Sequence, residues 1–373
     1  MKPNPASVFV DLLINRGVRV AAGVPDSLLG ALSAELDLNS SIEHLKAPNE
    51  GLALSVALGY QIASNKKSVV YLQNSGLGNL VNPYLSLFHA KVYNVPAFLV
   101  IGWRGQFPEG DEPQHRAQGE KTEALLDLLN IHTGYLRNES DIETSIDEAM
   151  SVFQQGKSAA ILVSKGALGP PPSMGTSSSK PERKEWVKCI MDSADASTFI
   201  ISTTGKTSRE LYELQSVDER KRTFYCIGGM GHASAIAAGM AKAKPHSKFV
   251  CIDGDGAFQM HAGSVALIGS TQPPNLLHVM INNGVHESVG GQEITSDTYD
   301  YTGIAESTGY TNVHAVSRVE ELSSLIPQLF NVTGPHFIRC ETSSAAPGEL
   351  GRPSGLPQEW INDFSESVNP DGT

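Results

Sequence analysis

Short apolar runs alternate with longer stretches of helical spacing through the first half of the chain. "RVAAGVP", "SIEHLKAP" and "KSVVYLQ" read as strands, and each leads into a helical pattern: "DSLLGALSAEL", "NEGLALSVALGYQIAS" and "NSGLGNLVNPYLSLFHAKVY". "PAFLVIGWRG" is a fourth strand ending in a polar loop, "EKTEALLDLLNIH" and "DIETSIDEAMSVFQQ" space their apolar residues as helices, and "SAAILVSKGAL" is a further strand. Strand followed by helix, repeated, predicts a parallel sheet covered on both faces.

The second half starts the same way again. "ASTFIISTTG", "RTFYCIGGMG", "KFVCIDGDG", "NLLHVMINNG" and "PHFIRCET" read as strands, with "KTSRELYEL" and the small-residue segment "HASAIAAGMAKAK" as helices. Between the halves, "GPPPSMGTSSSKPERK" carries the Pro, Gly and Ser density of a linker. The expected fold is therefore α/β, with two domains of similar design at 1–168 and 185–373 joined by residues 169–184. The closing "SGLPQEWINDFSESVNPDGT" reads as a short packed helix with a frayed tail.

Composition narrows the function class. A chain of 373 residues with 40% hydrophobic and 18% charged residues is that of an ordinary globular protein. Its net charge of -12 argues against nucleic-acid or acidic-membrane partners and leaves room for a local basic pocket for a small anion. No run approaches the length of a membrane span, and the opening "MKPNPASVFVDLLINRGV" turns acidic after a short apolar run, unlike a signal peptide, so the expected location is the cytoplasm. Cys189, Cys226, Cys251 and Cys340 lack the paired spacing of a zinc or redox site and read as reduced thiols.

Ligands of open α/β sheets gather at the carboxyl ends of strands, so the residues there carry the chemistry. "GGMGHA" at 228–233 suits either a phosphate cradle or a bare tight turn, because its glycines let N–H groups approach an anion at a helix start. Gly205, Lys206 and Thr207 resemble the end of a P-loop, but no glycine stands five places before Gly205, which argues against nucleotide hydrolysis and leaves a phosphate-facing turn. Asp255 ends one strand and Asn283 the next. Side by side, their oxygens suit the octahedral demand of Mg²⁺, or equally a helix cap and a turn.

"GDGAF", followed after 23 residues by "NNG", resembles the signature of thiamine-diphosphate-dependent enzymes. The fuller wording "GGMGHASAIAAGMA", "IDGDGAFQMHAGSVALIG" and "INNGVHESVGGQ" is similar to the phosphonopyruvate and sulfopyruvate decarboxylase group, which lacks a central domain between the two. The resemblance spans almost the whole chain. It implies a pyrimidine-binding domain at 1–168 and a diphosphate- and Mg²⁺-binding domain at 185–373. Asp255, Asn283 and the carbonyl of Val285 would hold the metal. Gly256 and Ala257, with the turns at Thr204, Gly205, Thr207 and Gly231, would hold the diphosphate. Met230 would force the cofactor to bend, and the Gly228 carbonyl would accept from its amino group.

The resemblance also implies that Glu50 shares a proton with N1′ of the pyrimidine, where residues alone suggest only a glutamate favourable at a helix start. Asp26 in "GVPDSLL" resembles the acid after the first strand of related decarboxylases, and His115 in "DEPQHRAQG" their active-site histidine on a loop; a helix cap and a surface histidine are the plainer alternatives. His286 is added for proton transfer, with its neighbour Glu287 in view. Arg104, Arg116 and Lys206, read as strand-end loop cations, would meet an anionic substrate, Arg104 and Arg116 joined by Asp26, Ser27 and His115. The expected substrate is a small anionic 2-oxo acid, phosphonopyruvate before sulfopyruvate. The expected assembly is at least a homodimer with active sites between chains.

Overall fold

A computed structural model describes residues 4–108, 110–170, 179–286, 292–294, 299–344, 350–351 and 353–370. It divides into two units, Met1–Met174 with His286–Ile294, and Gly175–Val285 with Thr295–Thr373.

In the first unit, α1 (Pro5–Asn15), β1 (Val18–Gly23), α2 (Gly30–Leu38), β2 (Glu43–Lys46), α3 (Glu50–Ser64), β3 (Lys67–Gln73), α4 (Leu77–Pro83), β4 (Phe98–Gly102), α5 (Pro113–Leu128), β5 (His132–Leu136), α6 (Ile142–Gln154) and β6 (Ala159–Val163) follow in order. A 3₁₀ turn, Asn74–Gly76, precedes α4 and a π-helical turn, Tyr84–Phe88, extends it. The six parallel strands lie in the order β2-β1-β3-β4-β6-β5.

The second unit contains α7 (Arg183–Ser193), β7 (Phe199–Ser202), α8 (Lys206–Leu214), α9 (Val217–Arg220), β8 (Thr223–Tyr225), α10 (Ala233–Ala243), β9 (Phe249–Gly254), α11 (Asp255–Met260), α12 (Gly263–Thr271) and β10 (Leu276–Asn282). After the short strands β11 (Val285–His286) and β12 (Gln292–Glu293) come α13 (Tyr301–Thr308), β13 (Asn312–Val316), α14 (Val319–Leu329), β14 (His336–Glu341) and α15 (Pro357–Val368). Its parallel sheet runs β13-β14-β10-β9-β7-β8. Read from the other edge and counted from its own first strand, this is the strand order of the first unit. The expected α/β fold of two like sheets is therefore present.

Each sheet buries both faces, which is why its central strands are mostly apolar, without the polar alternation of a half-exposed strand. Side chains alternate across a strand. Phe98 and Val100 of β4 therefore enter one core with Phe9 and Leu29, while Leu99 and Ile101 enter the other with Leu54 and Leu72. Phe249 and Cys251 of β9 divide from Val250 and Ile252 in the same manner. All four cysteines are free and buried.

Four sequence expectations need correction. The helix expected at "EKTEALLDLLNIH" starts earlier, at Pro113, whose fixed φ suits a first helical position. His115 and Arg116 therefore lie in the first turn of α5, not on a loop. That helix ends at Leu128, and Asn130, at φ 56°, turns the chain into β5. For Lys206 the helix reading of "KTSRELYEL" holds and its loop reading does not, since it is the first residue of α8. The stretch 169–184 ends inside α7, where Glu182 and Glu185 form a reciprocal cap; residues 171–178 lie outside the described part. Strands β5 and β13 were not anticipated, because each is a sheet edge with few buried positions.

Candidate active site

Both units gather polar residues at the carboxyl ends of their strands. In the first, Asp26 and Ser27 follow β1, Glu50 opens α3 after β2, residues 74–79 follow β3, and Arg104 follows β4.

Asn49 sets the position of Glu50 by accepting the Gly51 N–H at 2.8 Å, so that α3 starts with the glutamate turned inward and 4% exposed. Asn79 Nδ2 donates to Glu50 Oε2 at 2.7 Å. Oε1 lies over Gly76, where a Cβ would stand only 2.1 Å away, so any side chain there would displace the carboxyl. Burial pushes the Glu50 carboxyl above its ordinary range and the Asn79 amide opposes the shift.

Asp26 is fully buried, and its Oδ2 accepts the N–H groups of Leu28 at 3.0 Å and Leu29 at 3.2 Å. It thus closes the turn into α2, as the capping alternative required, but Oδ1 has no partner among the described residues. Burial raises this carboxyl to about 6 against the pull of the Arg104 charge. Arg104 donates to Asp111 through Nε at 2.8 Å and Nη2 at 2.7 Å, and through Nη1 to Ser27 Oγ at 3.2 Å. Asp111 also accepts the Gly105 N–H at 3.1 Å, and its carbonyl accepts from Arg116 Nε at 2.7 Å. His115 stands with Nε2 3.9 Å from Glu112 Oε2. Asn74 ties Arg104 to the Glu50 side of the unit: its Nδ2 donates to the Arg104 carbonyl at 2.9 Å and its Oδ1 accepts the Arg104 N–H at 3.2 Å. Arg104 thus links Ser27 to Asp111, Arg116 reaches the Asp111 carbonyl, and the Arg104 charge acts on Asp26.

In the second unit the carboxyl edge carries Thr204 and Gly205 after β7, with Thr207 in the first turn of α8. It also carries Gly228 to Gly231 after β8, Asp255 to Ala257 after β9, and Asn283 to Val285 after β10. Strands β9 and β10 are neighbours with Gly254 opposite Ile281, which brings the Asp255 and Asn283 segments together. Asp255 Oδ2 accepts the N–H groups of Asn283 at 3.0 Å and Gly284 at 2.8 Å, and Oδ1 accepts that of Gly256 at 2.7 Å. Asn283 Oδ1 accepts the Val285 N–H at 3.1 Å, the turn role anticipated as its alternative. Gly205 and Gly231 adopt φ of 88° and 82°. Met230 is half-buried, and the Gly228 carbonyl accepts the Cys226 thiol at 2.8 Å. The backbone of His286 belongs to β11; its side chain and Glu287 lie outside the described residues.

Asp255 is a buried carboxylate. Burial raises it to about 7 despite three N–H donors, and the Asp253 charge pushes the same way. Its oxygens, the Asn283 amide oxygen and the Val285 carbonyl are donors of the type Mg²⁺ accepts. A second group, Cys251, Asp253 and His278, lies deeper between the same strands. His278 there meets Asp253 Oδ2 at 3.3 Å and the Tyr310 hydroxyl at 3.0 Å, so this group is a hydrogen-bonded core network.

Residues 4–125 match the N-terminal TPP binding domain of thiamine pyrophosphate enzymes, and residues 203–340 match the C-terminal one. Across 99% of its length the chain is 32% identical to phosphonopyruvate decarboxylase of Streptomyces viridochromogenes, covering 96% of that protein. The chain belongs to the phosphonopyruvate decarboxylase family of thiamine pyrophosphate enzymes. The phosphonopyruvate decarboxylase of Streptomyces hygroscopicus is also 32% identical, over 97% of this chain and 93% of its own. The sulfopyruvate decarboxylase of Methanosarcina acetivorans is 23% identical over 98% of each.

Within this decarboxylase family fold, sequence reasoning passed over Asn74, Gly76, Asn79 and Asp111. All four lie in segments it had quoted, "NSGLGN" and "DEPQH", but their partners are distant in the chain. A buried asparagine beside a glycine pair was the available signal, and it named no partner.

Proposed function

We propose that this chain decarboxylates 3-phosphonopyruvate to phosphonoacetaldehyde and CO₂, with thiamine diphosphate and Mg²⁺, as a step of phosphonate biosynthesis in the cytoplasm. The observation that carries the substrate is the 32% identity, over nearly full length, to two phosphonopyruvate decarboxylases, against 23% to the sulfopyruvate enzyme. Among the described residues no helix is long and apolar enough to cross a membrane.

Bound thiamine diphosphate supplies a nucleophilic carbon and an electron sink for the pair released when the C1–C2 bond of a 2-oxo acid breaks. The chain does the rest. Asp255, Asn283 and the Val285 carbonyl hold Mg²⁺, and Thr204, Gly205, Thr207, Gly231, Gly256 and Ala257 hold the diphosphate. Met230 would pack against the bound cofactor, and the Gly228 carbonyl would accept from its amino group. Glu50 shares a proton with N1′ of the pyrimidine. Arg104 and Ser27, with Arg116, receive the phosphonate. Asp26, half-protonated near pH 6, and His115 move protons at the carbon that loses CO₂, with His286 a further proton carrier.

We assign the working form as at least a homodimer with active sites between chains. Leu52 and Val56, one turn apart on α3, and Leu85 in the π-helical turn packed against α3 are exposed apolar side chains that a second copy would cover. Light scattering of Leu52→Glu tests this, with a monomer expected.

The deciding assay is CO₂ release from phosphonopyruvate and from sulfopyruvate, with and without thiamine diphosphate and Mg²⁺. Cofactor-dependent release favouring phosphonopyruvate in kcat/KM is expected. A preference for sulfopyruvate above about tenfold, well over 1 kcal/mol in transition-state binding, would reverse the substrate assignment.

A further inference from the structure

We propose that Asn79 is the positioning residue of the Glu50 carboxyl: by donating to Oε2 it confines the exchangeable proton of the glutamate to Oε1, the oxygen left to meet the pyrimidine. This rests on the reading of Glu50 as the N1′ partner.

The argument begins with hydrogen-bond direction. An amide N–H donates and is not an acid at any working pH, so the oxygen that accepts from Asn79 Nδ2 at 2.7 Å is held as an acceptor. Any proton on the carboxyl then resides on Oε1. The same short segment constrains that second oxygen by shape, since Gly76 leaves Oε1 room that any Cβ would fill at 2.1 Å. The segment is itself anchored, because Asn74 Nδ2 donates to the Arg104 carbonyl and to Thr122 Oγ1, each at 2.9 Å. One stretch of six residues after β3 therefore fixes both oxygens of a buried carboxyl whose helix packs against it.

Among the described residues, the titratable groups on the elements that pack most closely against α3 do not compete for that role. The elements packed against α3 are β1, β3, α4 and the π-helical turn. Their titratable groups are Arg19, Lys67, Tyr71 and Tyr84, and each is engaged elsewhere. Arg19 donates to the Ile14 and Val18 carbonyls and Lys67 to the Arg16 carbonyl. Tyr71 meets His44, and Tyr84 interacts with Ser158. The shift of Glu50 has three causes: burial raises it, while the Asn79 amide and a backbone N–H lower it.

The test compares Asn79→Ala and the isosteric Asn79→Asp with Glu50→Gln. Exchange of the C2 hydrogen of bound thiamine diphosphate is followed by NMR, the dissociation constant of thiamine diphosphate with Mg²⁺ by calorimetry, and the Glu50 carboxyl in the cofactor-free protein by carbon NMR titration. Both Asn79 variants are expected to slow exchange tenfold to a hundredfold, roughly the worth of one hydrogen bond to a charged group, with the dissociation constant held within about threefold. Asn79→Asp should recover exchange as pH falls, because a protonated carboxyl regains a donor, and Asn79→Ala should not. The Glu50 titration should move upward in Asn79→Ala, a readout that does not require cofactor. Exchange within twofold of wild type in both variants, or an unmoved Glu50 titration, would overturn the proposal provided Glu50→Gln abolishes exchange. Full exchange in Glu50→Gln would instead remove the reading beneath it.

Discussion

Replacing Asp26 with asparagine should stabilise the first unit above pH 6 and leave it unchanged or weakened near pH 4. The carboxyl is fully buried, and burial lifts it from 3.8 to about 6. A group whose folded pKa is raised favours folding in its protonated form. That advantage is complete below 3.8 and is lost as pH rises through 6, because the unfolded chain ionises first. The rise of about 2.2 units, at about 1.4 kcal/mol each, amounts to about 3 kcal/mol between the two ends of the window. Asparagine preserves the acceptor for the Leu28 and Leu29 N–H groups. Its amide nitrogen would occupy the place of the unpartnered Oδ1, at a cost of about 1–3 kcal/mol that does not change with pH. The pH dependence is therefore the diagnostic part. Amide hydrogen exchange of β1 and β3, read at pH 4, 5, 6 and 7.5 in the cofactor-free protein, isolates this unit from the other. Wild type should lose protection across the series relative to the variant, with most of the difference developed by pH 6. Parallel curves would refute the argument that Asp26 is held as a high-energy carboxylate.

Three further outcomes follow from the same geometry. Asp255, raised from 3.8 to about 7 by burial, should cost the second unit stability as pH rises through that window, about 4 kcal/mol in all; thiamine diphosphate with Mg²⁺ should restore protection of β9 and β10 at pH 8, and Asp255→Asn should flatten the pH slope. Gly76→Ala drives a methyl onto Glu50 Oε1 and should lower kcat at least tenfold with little change in KM, measured by steady-state CO₂ release. Arg183 pairs with Glu210 through bonds of 2.8 and 2.9 Å in the core between α7 and α8; Arg183→Met strands a buried charge and should cost about 3–5 kcal/mol in urea unfolding, whereas Arg183→Met combined with Glu210→Leu should recover most of it.

The fold was legible because a strand buried on both faces reads as an apolar run, unbroken in β4 and β6 and interrupted only by His278 within β10. Two edge strands, β5 and β13, escaped for the same reason. "HTGYL" and "NVHAV" bury only some of their side chains, so nothing in them outweighs a loop reading. Site residues divide along a different line. Asp26, Asp255 and Asn283 interrupt apolar runs at their carboxyl ends, and a polar break in that place is visible without knowing what it touches. Glu50 was visible only as a helix-start glutamate; its special character is burial against Gly76 and Asn79, 26 and 29 positions on, which no local pattern expresses. Asp111 shows the difference most plainly. In the sequence Arg104 reads as a free cation awaiting an anionic substrate, yet in the fold two of its nitrogens already hold a carboxylate and only Nη1 turns toward Ser27. The positive charge inferred from residue type is therefore largely neutralised in place. If Arg104 receives the phosphonate as proposed, what it offers is the Nη1 edge shared with Ser27 beside a protonatable Asp26, and recognition there would turn on donor placement more than on net charge.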